Sequence, residues 1–197
     1  MDTTLLAGLA AFAFVSSITP GPNNLMLMAS GANFGVRRTL PHMLGVALGF
    51  VFMVVVVGLG LAGVFERYPA THAALEAASV AYLLYLAWRI ATAAAPGEAD
   101  PSGRPFSFLQ AAAFQWVNPK AWAMALTAVT VYTASRDWPD VVLVAAVFGA
   151  INLPSVGSWA LLGQGMRRVL TNPRRLRAFN LAMALLLVGS LYPVVFG

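Results

Sequence analysis

Apolar residues run along this chain in six long stretches separated by short polar intervals. About 20 such residues cross the hydrocarbon core of a bilayer as a helix, so each stretch predicts a membrane span. The spans fall at about Leu5–Met28, Leu40–Val64, Ala73–Ala95, Ser107–Ala134, Val141–Gly165 and Ala178–Phe196. The third is the weakest, because Glu76 and Arg89 sit near its ends, where long side chains snorkel to the interface. A loop rich in Pro, Gly and Asp, Pro96–Pro105, divides the chain near its midpoint. The expected fold class is an all-α polytopic membrane protein with six transmembrane helices in a single domain over residues 1–197.

Two of these stretches carry helix breakers. Thr19-Pro20-Gly21-Pro22-Asn23-Asn24 lies inside an uncharged run from Thr3 to Val36, and Asn118-Pro119-Lys120 lies inside the fourth stretch. A proline lacks an N–H and clashes with the carbonyl four residues back. The expected consequence is a freed carbonyl at Ser16, at Ile18 and at Gln115. Helices one and four are therefore expected to be interrupted. In hydrocarbon such a break is tolerable only where the backbone lines a protein-enclosed cavity.

The breaks are also related to each other. Pro119 follows Pro20 by 99 residues, half the chain, and an arginine follows each by 17 residues, Arg37 and Arg136. Repeat one is placed at about 1–95, the connecting loop at about 96–106 and repeat two at about 107–197. Three spans per half is an odd number, so the halves are expected to be inverted. Paired interruptions in inverted halves point to a transporter's binding site.

Composition supports the membrane assignment. The chain is 59% hydrophobic and 10% charged, with a mean hydropathy of +0.76, whereas soluble domains are roughly 25% charged. The net charge of +5 is carried mainly by arginines in short loops, which orient a membrane protein and do not imply nucleic acid. Arg37 and Arg38, then Arg89 and Arg104, then Arg167, Arg168, Arg174, Arg175 and Arg177 fall on one side. The positive-inside rule puts that side in the cytoplasm and both termini outside. The absence of cysteine excludes disulfides and thiolate metal sites. Neither a metal nor a cofactor is expected. Met1-Asp2-Thr3-Thr4 has no basic leader region and is not read as a cleaved signal peptide.

Each break starts a new half-helix whose free N–H groups carry partial positive charge. With opposite chain directions both ends are expected to face one cavity, an arrangement that suits a carboxylate. The carbonyls ending the preceding half-helices suit an ammonium. A zwitterionic amino acid carries both charges. The candidate substrate-binding residues are accordingly Thr19, Pro20, Gly21, Pro22, Asn23, Asn24, Gln115, Asn118, Pro119, Lys120 and Asn152.

Lys120 is the sharpest of them, since an ionisable group within a span is expensive and by default marks function. It either binds substrate carboxylate, carries a proton, or snorkels to the headgroups. Asn23 and Asn24 either bind substrate or cap the second half-helix. Trp116 and Trp122 either wall the pocket or face lipid. Asn152 and Pro154 are expected to interrupt the fifth span. Asn180 is expected at the membrane interface or at a helix–helix contact, and His42 in a structural role. Gly45, Gly49, Gly58, Gly60 and Gly63 are expected to allow close helix packing.

Thr19-Pro20-Gly21-Pro22-Asn23 near the N-terminus, with Asn118-Pro119-Lys120-Ala121 after the midpoint, resembles the LysE/RhtB family of bacterial amino-acid exporters. The resemblance extends over the whole chain in length, span count, loop and both motifs. Pro20-Gly21-Pro22-Asn23-Asn24 and Ala87-Trp88-Arg89-Ile90-Ala91-Thr92 are also similar to that family's cysteine/O-acetylserine branch. The resemblance implies multi-pass insertion in the bacterial inner membrane and efflux of small amino acids or derivatives, driven by the proton motive force. It implies as partners an amino-acid substrate, a coupling proton or ion and the lipid bilayer, with homo-oligomerisation left open. The absence of a mid-span acidic residue weighs against cationic substrates. Two other classes were weighed. An intramembrane hydrolase would use Ser16 or Ser17 as nucleophile with Lys120 as base, but no oxyanion donor is evident. A passive channel has no supporting feature.

Overall fold

Proline sets most of the helix starts. In the computed structural model, which describes residues 1–61, 67–93, 104–133 and 137–192 (the side chains of Pro69 and His72 excepted), four helices begin on a proline and a fifth has one at its second position. That is where its missing N–H costs nothing and its φ is already helical. Helix α1 spans Thr3–Ile18, and Asp2 caps it by accepting from the Leu5 N–H at 2.7 Å. Thr19 is extended, as a residue before proline prefers, and α2 (Pro22–Phe34) follows. The left-handed Gly35, at φ 80°, ends α2 and opens α3 (Val36–Val56). A π-turn, Val57–Leu61, extends α3. Next come α4 (Pro69–Ala91) and the short α5 (Phe108–Phe114), whose start is a reciprocal Ser107–Gln110 capping box. A 3₁₀ turn, Gln115–Val117, leads to α6 (Pro119–Tyr132), then α7 (Trp138–Met166) and α8 (Pro173–Gly189).

Among the described residues, 36–61, 73–91 and 138–166 are each long and apolar enough to cross a bilayer. The α1–α2 pair, bent by 53° at its break, makes a fourth such unit. The other two expected spans correspond to α5 with α6, divided at Asn118, and to α8, which is 17 residues long. Much of the mid-chain loop lies outside the described residues, as do Gly63, Arg136 and the expected span ends at Val64, Ala95, Ala134 and Phe196.

One expectation is corrected. Asn152 and Pro154 do not interrupt the fifth span: α7 is continuous through both. Pro154 removes a single ladder bond, and the Ser155 hydroxyl donates to the Ile151 carbonyl in the same turn, at 2.7 Å. The carbonyl freed by Pro154 is that of Ala150, and α1, α2 and α3 pack around α7, a setting in which membrane helices tolerate a proline.

Helix α7 is the packing centre, in contact with α1, α2 and α3. In lipid there is little hydrophobic drive between helices, so close backbone approach and polar contacts hold them together. Against α2 the approach is closest: a Cβ on Gly31 would strike the Ala160 carbonyl, and one on Gly163 the Met28 carbonyl. Gly45 and Gly49 let α3 lie on the backbone of α5 at Phe108 and Ala112, as expected of that stripe. Gly60 departs from it, with nothing near its missing Cβ; its φ of 112° ends the π-turn. Phe50 of α3 and Phe148 of α7 meet edge to face, 5.2 Å between centroids, inside one core cluster. A second joins α2, α4 and α8. Leu48, Phe52, Leu109, Leu161 and Leu185 point outward, as lipid-facing residues do.

Chain directions follow from the contacts. Gly8 meets Tyr132 through a hydroxyl-to-carbonyl bond of 3.2 Å, and Thr19 meets Lys120, so α1 and α6 run antiparallel. Both breaks therefore lie at one level of the molecule, at the inner ends of α1, α2, α5 and α6.

Candidate functional site

The two breaks meet. The Asn23 amide donates to Gln115 Oε1 at 2.8 Å, and Gln115 Nε2 donates back to Asn23 Oδ1 at 3.2 Å, a reciprocal pair between residues 92 apart in sequence. Gln115 is fully buried and also donates to the Ala111 carbonyl at 2.9 Å. Beside this pair, Lys120 Nζ donates to the Thr19 carbonyl and to Thr19 Oγ1, both at 2.8 Å, and lies 3.4 Å from the Pro20 carbonyl. The ammonium is thus held at the first break and does not snorkel along α6 to a headgroup. Gly21 is needed for this: a Cβ there would lie 2.7 Å from Lys120 Cδ.

The asparagines separate into different roles. Asn24 Nδ2 donates to the Ser17 and Thr19 carbonyls, each at 2.8 Å, so it closes the C-terminal end of α1 from the first turn of α2. Asn118 caps α6 by accepting from the Lys120 N–H at 3.2 Å. Asn23 does not cap; Gly21 stands at the N-cap of α2 without a side-chain bond. Pro22 and Pro119 sit at the first positions of the two half-helices. Asn152 is buried and donates to Ser17 Oγ at 3.1 Å.

The freed carbonyls are not the ones the proline arithmetic names. Ser16 O accepts from Thr19 Oγ1 at 3.2 Å, Ile18 O from Trp159 Nε1 at 3.0 Å, and Gln115 O from the Asn118 N–H at 3.3 Å within the 3₁₀ turn. A polar group without a partner is costly away from water, and local hydroxyls, a neighbouring indole and a tightened turn supply these partners. The carbonyls left to face an ammonium are those of Thr19 and Pro20.

Residues from the first turns of α2 and α6 line a common pocket of about 310 Å³ including its open side. Gly21, Asn23, Asn118 and Lys120 surround its polar part, and Phe50, Met124 and Val156 form apolar walls. Lys120 is the one charged residue among those that line it. Two half-helix N-termini and an ammonium make this pocket electropositive. Thr19 and Pro20 reach it through the Lys120 side chain; Gln115 supports it from below through Asn23.

The remaining candidates take other roles. Trp122 Nε1 donates to the Trp116 carbonyl at 3.0 Å, and the two rings pack edge to face behind the 3₁₀ turn. Asn180 is buried and accepts from Asn33 at 3.0 Å, joining α8 to α2. His42 is buried against the Phe106 ring. Ser16 Oγ donates to the Phe12 carbonyl at 2.6 Å, the back-bonding of a helical serine, and Lys120 addresses Thr19 and Pro20 rather than a serine. The Ser–Lys hydrolase geometry is not formed.

Trp159 could not be placed from the sequence. Its signal is an indole N–H in an apolar helix, which must find an acceptor, but nothing local says that the acceptor is Ile18. Ser17 is likewise a scaffold residue, holding Asn152 by its hydroxyl and Asn24 by its carbonyl.

Residues 14–190 match the family described as LysE type translocator. The chain is 31% identical over 194 residues to the cysteine/O-acetylserine efflux protein of Escherichia coli (strain K12), and equally to that of Shigella sonnei (strain Ss046). Each alignment covers 95% of this chain and 96% of the relative. No solved structure matches the chain. The match takes in both breaks, the pocket between them and nearly all of the apolar helices, and the chain therefore belongs to the LysE type translocators, membrane transport proteins and not enzymes.

Proposed function

We propose that this protein exports small zwitterionic amino acids or close derivatives across the bacterial inner membrane, and that the pocket between the two breaks holds the substrate's charged head. One observation carries this: an ammonium, that of Lys120, already lies on the Thr19 and Pro20 carbonyls where the half-helix N-termini converge. A substrate ammonium takes those carbonyls in its place. The released Lys120 and the N–H groups of α2 and α6 then receive the carboxylate. The exchange replaces each charge-assisted bond with another, so the site opens without stranding a charge. The relatives' names, cysteine/O-acetylserine efflux protein, support a small substrate with an uncharged side chain.

The transport cycle is placed in one domain over residues 1–197, built as two inverted repeats of three spans, about 1–95 and 107–197. Supporting this, α1 packs along α7 through Phe12–Phe148 and Ser17–Asn152, and α5 packs along α3 through Phe108–Gly45 and Ala112–Gly49. Each half thus lends its broken helix to the other. The cytoplasmic side is assigned to the arginine-rich loops. In support, Gln164, just before Arg167 and Arg168, accepts from the Val36 N–H at 2.6 Å, beside Arg37 and Arg38. Both termini then lie outside, and the proton motive force drives export.

Counterflow of labelled cysteine in proteoliposomes tests the site. Lys120→Ala should abolish it while the purified protein keeps its wild-type elution and helix content. A folded K120A protein with wild-type counterflow would remove Lys120 from the site.

A further inference from the structure

One residue that lines the pocket carries a polar atom that the exchange above does not use. Asn152 lines the pocket from α7, and its Nδ2 is committed to Ser17 Oγ at 3.1 Å. Its Oδ1 is screened from solvent and has no donor within hydrogen-bonding distance among the described residues. The residue itself is 5% exposed. A buried acceptor without a partner costs free energy comparable to a lost hydrogen bond, and the same pocket is lined by apolar Phe50, Met124 and Val156 as well as by Ser16, Ser17 and Asn24. Its bond to Ser17 ties α7 to α1 through one half of the amide and leaves the other half unused.

We propose that Asn152 reads the substrate's side chain. Its Oδ1 accepts a hydrogen bond from one donor, a hydroxyl or a thiol, at the end of a short side chain whose carbons lie against Phe50, Met124 and Val156. This rests on the pocket being an amino-acid site and specifies which amino acids it takes: serine, threonine, homoserine or cysteine type, over aliphatic side chains of the same size. A methyl group in place of the donor would leave Oδ1 buried and unpaired, whereas the donor satisfies it. Sites that hydrogen-bond a substrate group discriminate strongly against analogues that lack it.

The test is competition in counterflow by two near-isosteric pairs, cysteine against 2-aminobutyrate and threonine against valine, for the wild-type protein, Asn152→Leu and Asn152→Ala. In the wild type the donor-bearing member of each pair should compete better by roughly tenfold or more. In N152L the preference should shrink to about twofold or less, because no acceptor is left unpaired by the methyl analogue. N152A repeats the measurement if leucine prevents folding, and the wild-type ratio stands by itself if both variants do. Equal competition within the pairs by the wild type overturns the proposal, as does a preference retained in N152L. A loss of affinity common to all four competitors in N152L also overturns it, because Oδ1 would then serve the shared ammonium. O-acetylserine, whose ester only accepts, gives the opposite polarity. If it alone loses affinity in N152L, the free amide atom is the donor and the proposal fails. A wild-type protein that moves none of these amino acids refutes the exporter function itself, a result distinct from equal transport of both members of a pair.

Discussion

Gly21→Ala isolates the contact between the two breaks without removing a charge or a hydrogen-bonding group. Gly21 has φ −179°, extended backbone open to any residue, so alanine adds no backbone strain. What it adds is a methyl group 2.7 Å from Lys120 Cδ and 3.2 Å from Nζ. Ordinary carbon contacts begin near 3.5 Å, so the lysine side chain must withdraw by about 0.8 Å. The Nζ–Thr19 distances of 2.8 Å then pass beyond the range of a good hydrogen bond. Bonds to a charged group contribute about 1.5–3 kcal/mol each. Because Thr19 and Pro20 are exposed, solvent screening reduces the loss to the lower end, about 1–1.5 kcal/mol, or roughly tenfold in an equilibrium constant. In the proposed exchange the substrate displaces Lys120 from these carbonyls, so a weaker hold on them lowers the cost of binding, and KM in counterflow should fall by about that factor. The diagnostic arm is the double variant. In a Lys120→Ala background the clash partner is gone, and substrate binding measured by isothermal titration should be insensitive to Gly21→Ala. A wild-type or raised KM in G21A, or an effect of Gly21→Ala on binding that persists in the double variant, would refute the steric link between Gly21 and Lys120.

Two further outcomes follow from the packing. Gln115→Leu leaves the Asn23 amide without its partner at the junction and should cost about 1–3 kcal/mol in detergent unfolding, whereas Asn23→Leu combined with Gln115→Leu should recover much of that loss. The chain has no cysteine, so single-cysteine variants report sidedness without background: Arg168→Cys should react with an impermeant maleimide only in inverted vesicles, and Asp2→Cys only in intact spheroplasts.

The fold was legible where the physics is local. Proline chemistry put breaks at Thr19–Asn24 and Asn118–Lys120, and helix ends observed at Thr19 and Asn118 are where that chemistry acts. The half-chain spacing of the two motifs implied that they share a site, and they touch. The same chemistry overreached at Pro154, where a long helix held on three sides by α1, α2 and α3 tolerates one missing bond. It also named the wrong carbonyls. Which group a break leaves open depends on its neighbours: a hydroxyl one turn away at Thr19 and an indole 141 residues away at Trp159 had already taken Ser16 O and Ile18 O. The Gly31 and Gly163 contacts were equally unreadable, since a lone glycine in a helix does not say which backbone approaches it.

The two breaks depend on each other. A lysine inside a membrane protein needs acceptors, and a continuous first helix would offer none, because its carbonyls would be bonded along the helix. Only the Thr19-Pro20-Gly21-Pro22 break exposes the Thr19 and Pro20 carbonyls to Lys120. Conversely, without the second break, which ends one half-helix and begins another at Lys120, the Thr19 carbonyl would keep only Asn24 and both carbonyls would lose the ammonium. Gly21 keeps the two within reach, and the Asn23–Gln115 pair fixes their register. Each half therefore supplies what the other lacks. A ligand with one ammonium and one carboxylate matches both partners of this junction, and that match is the physical ground on which we propose it as the binding site.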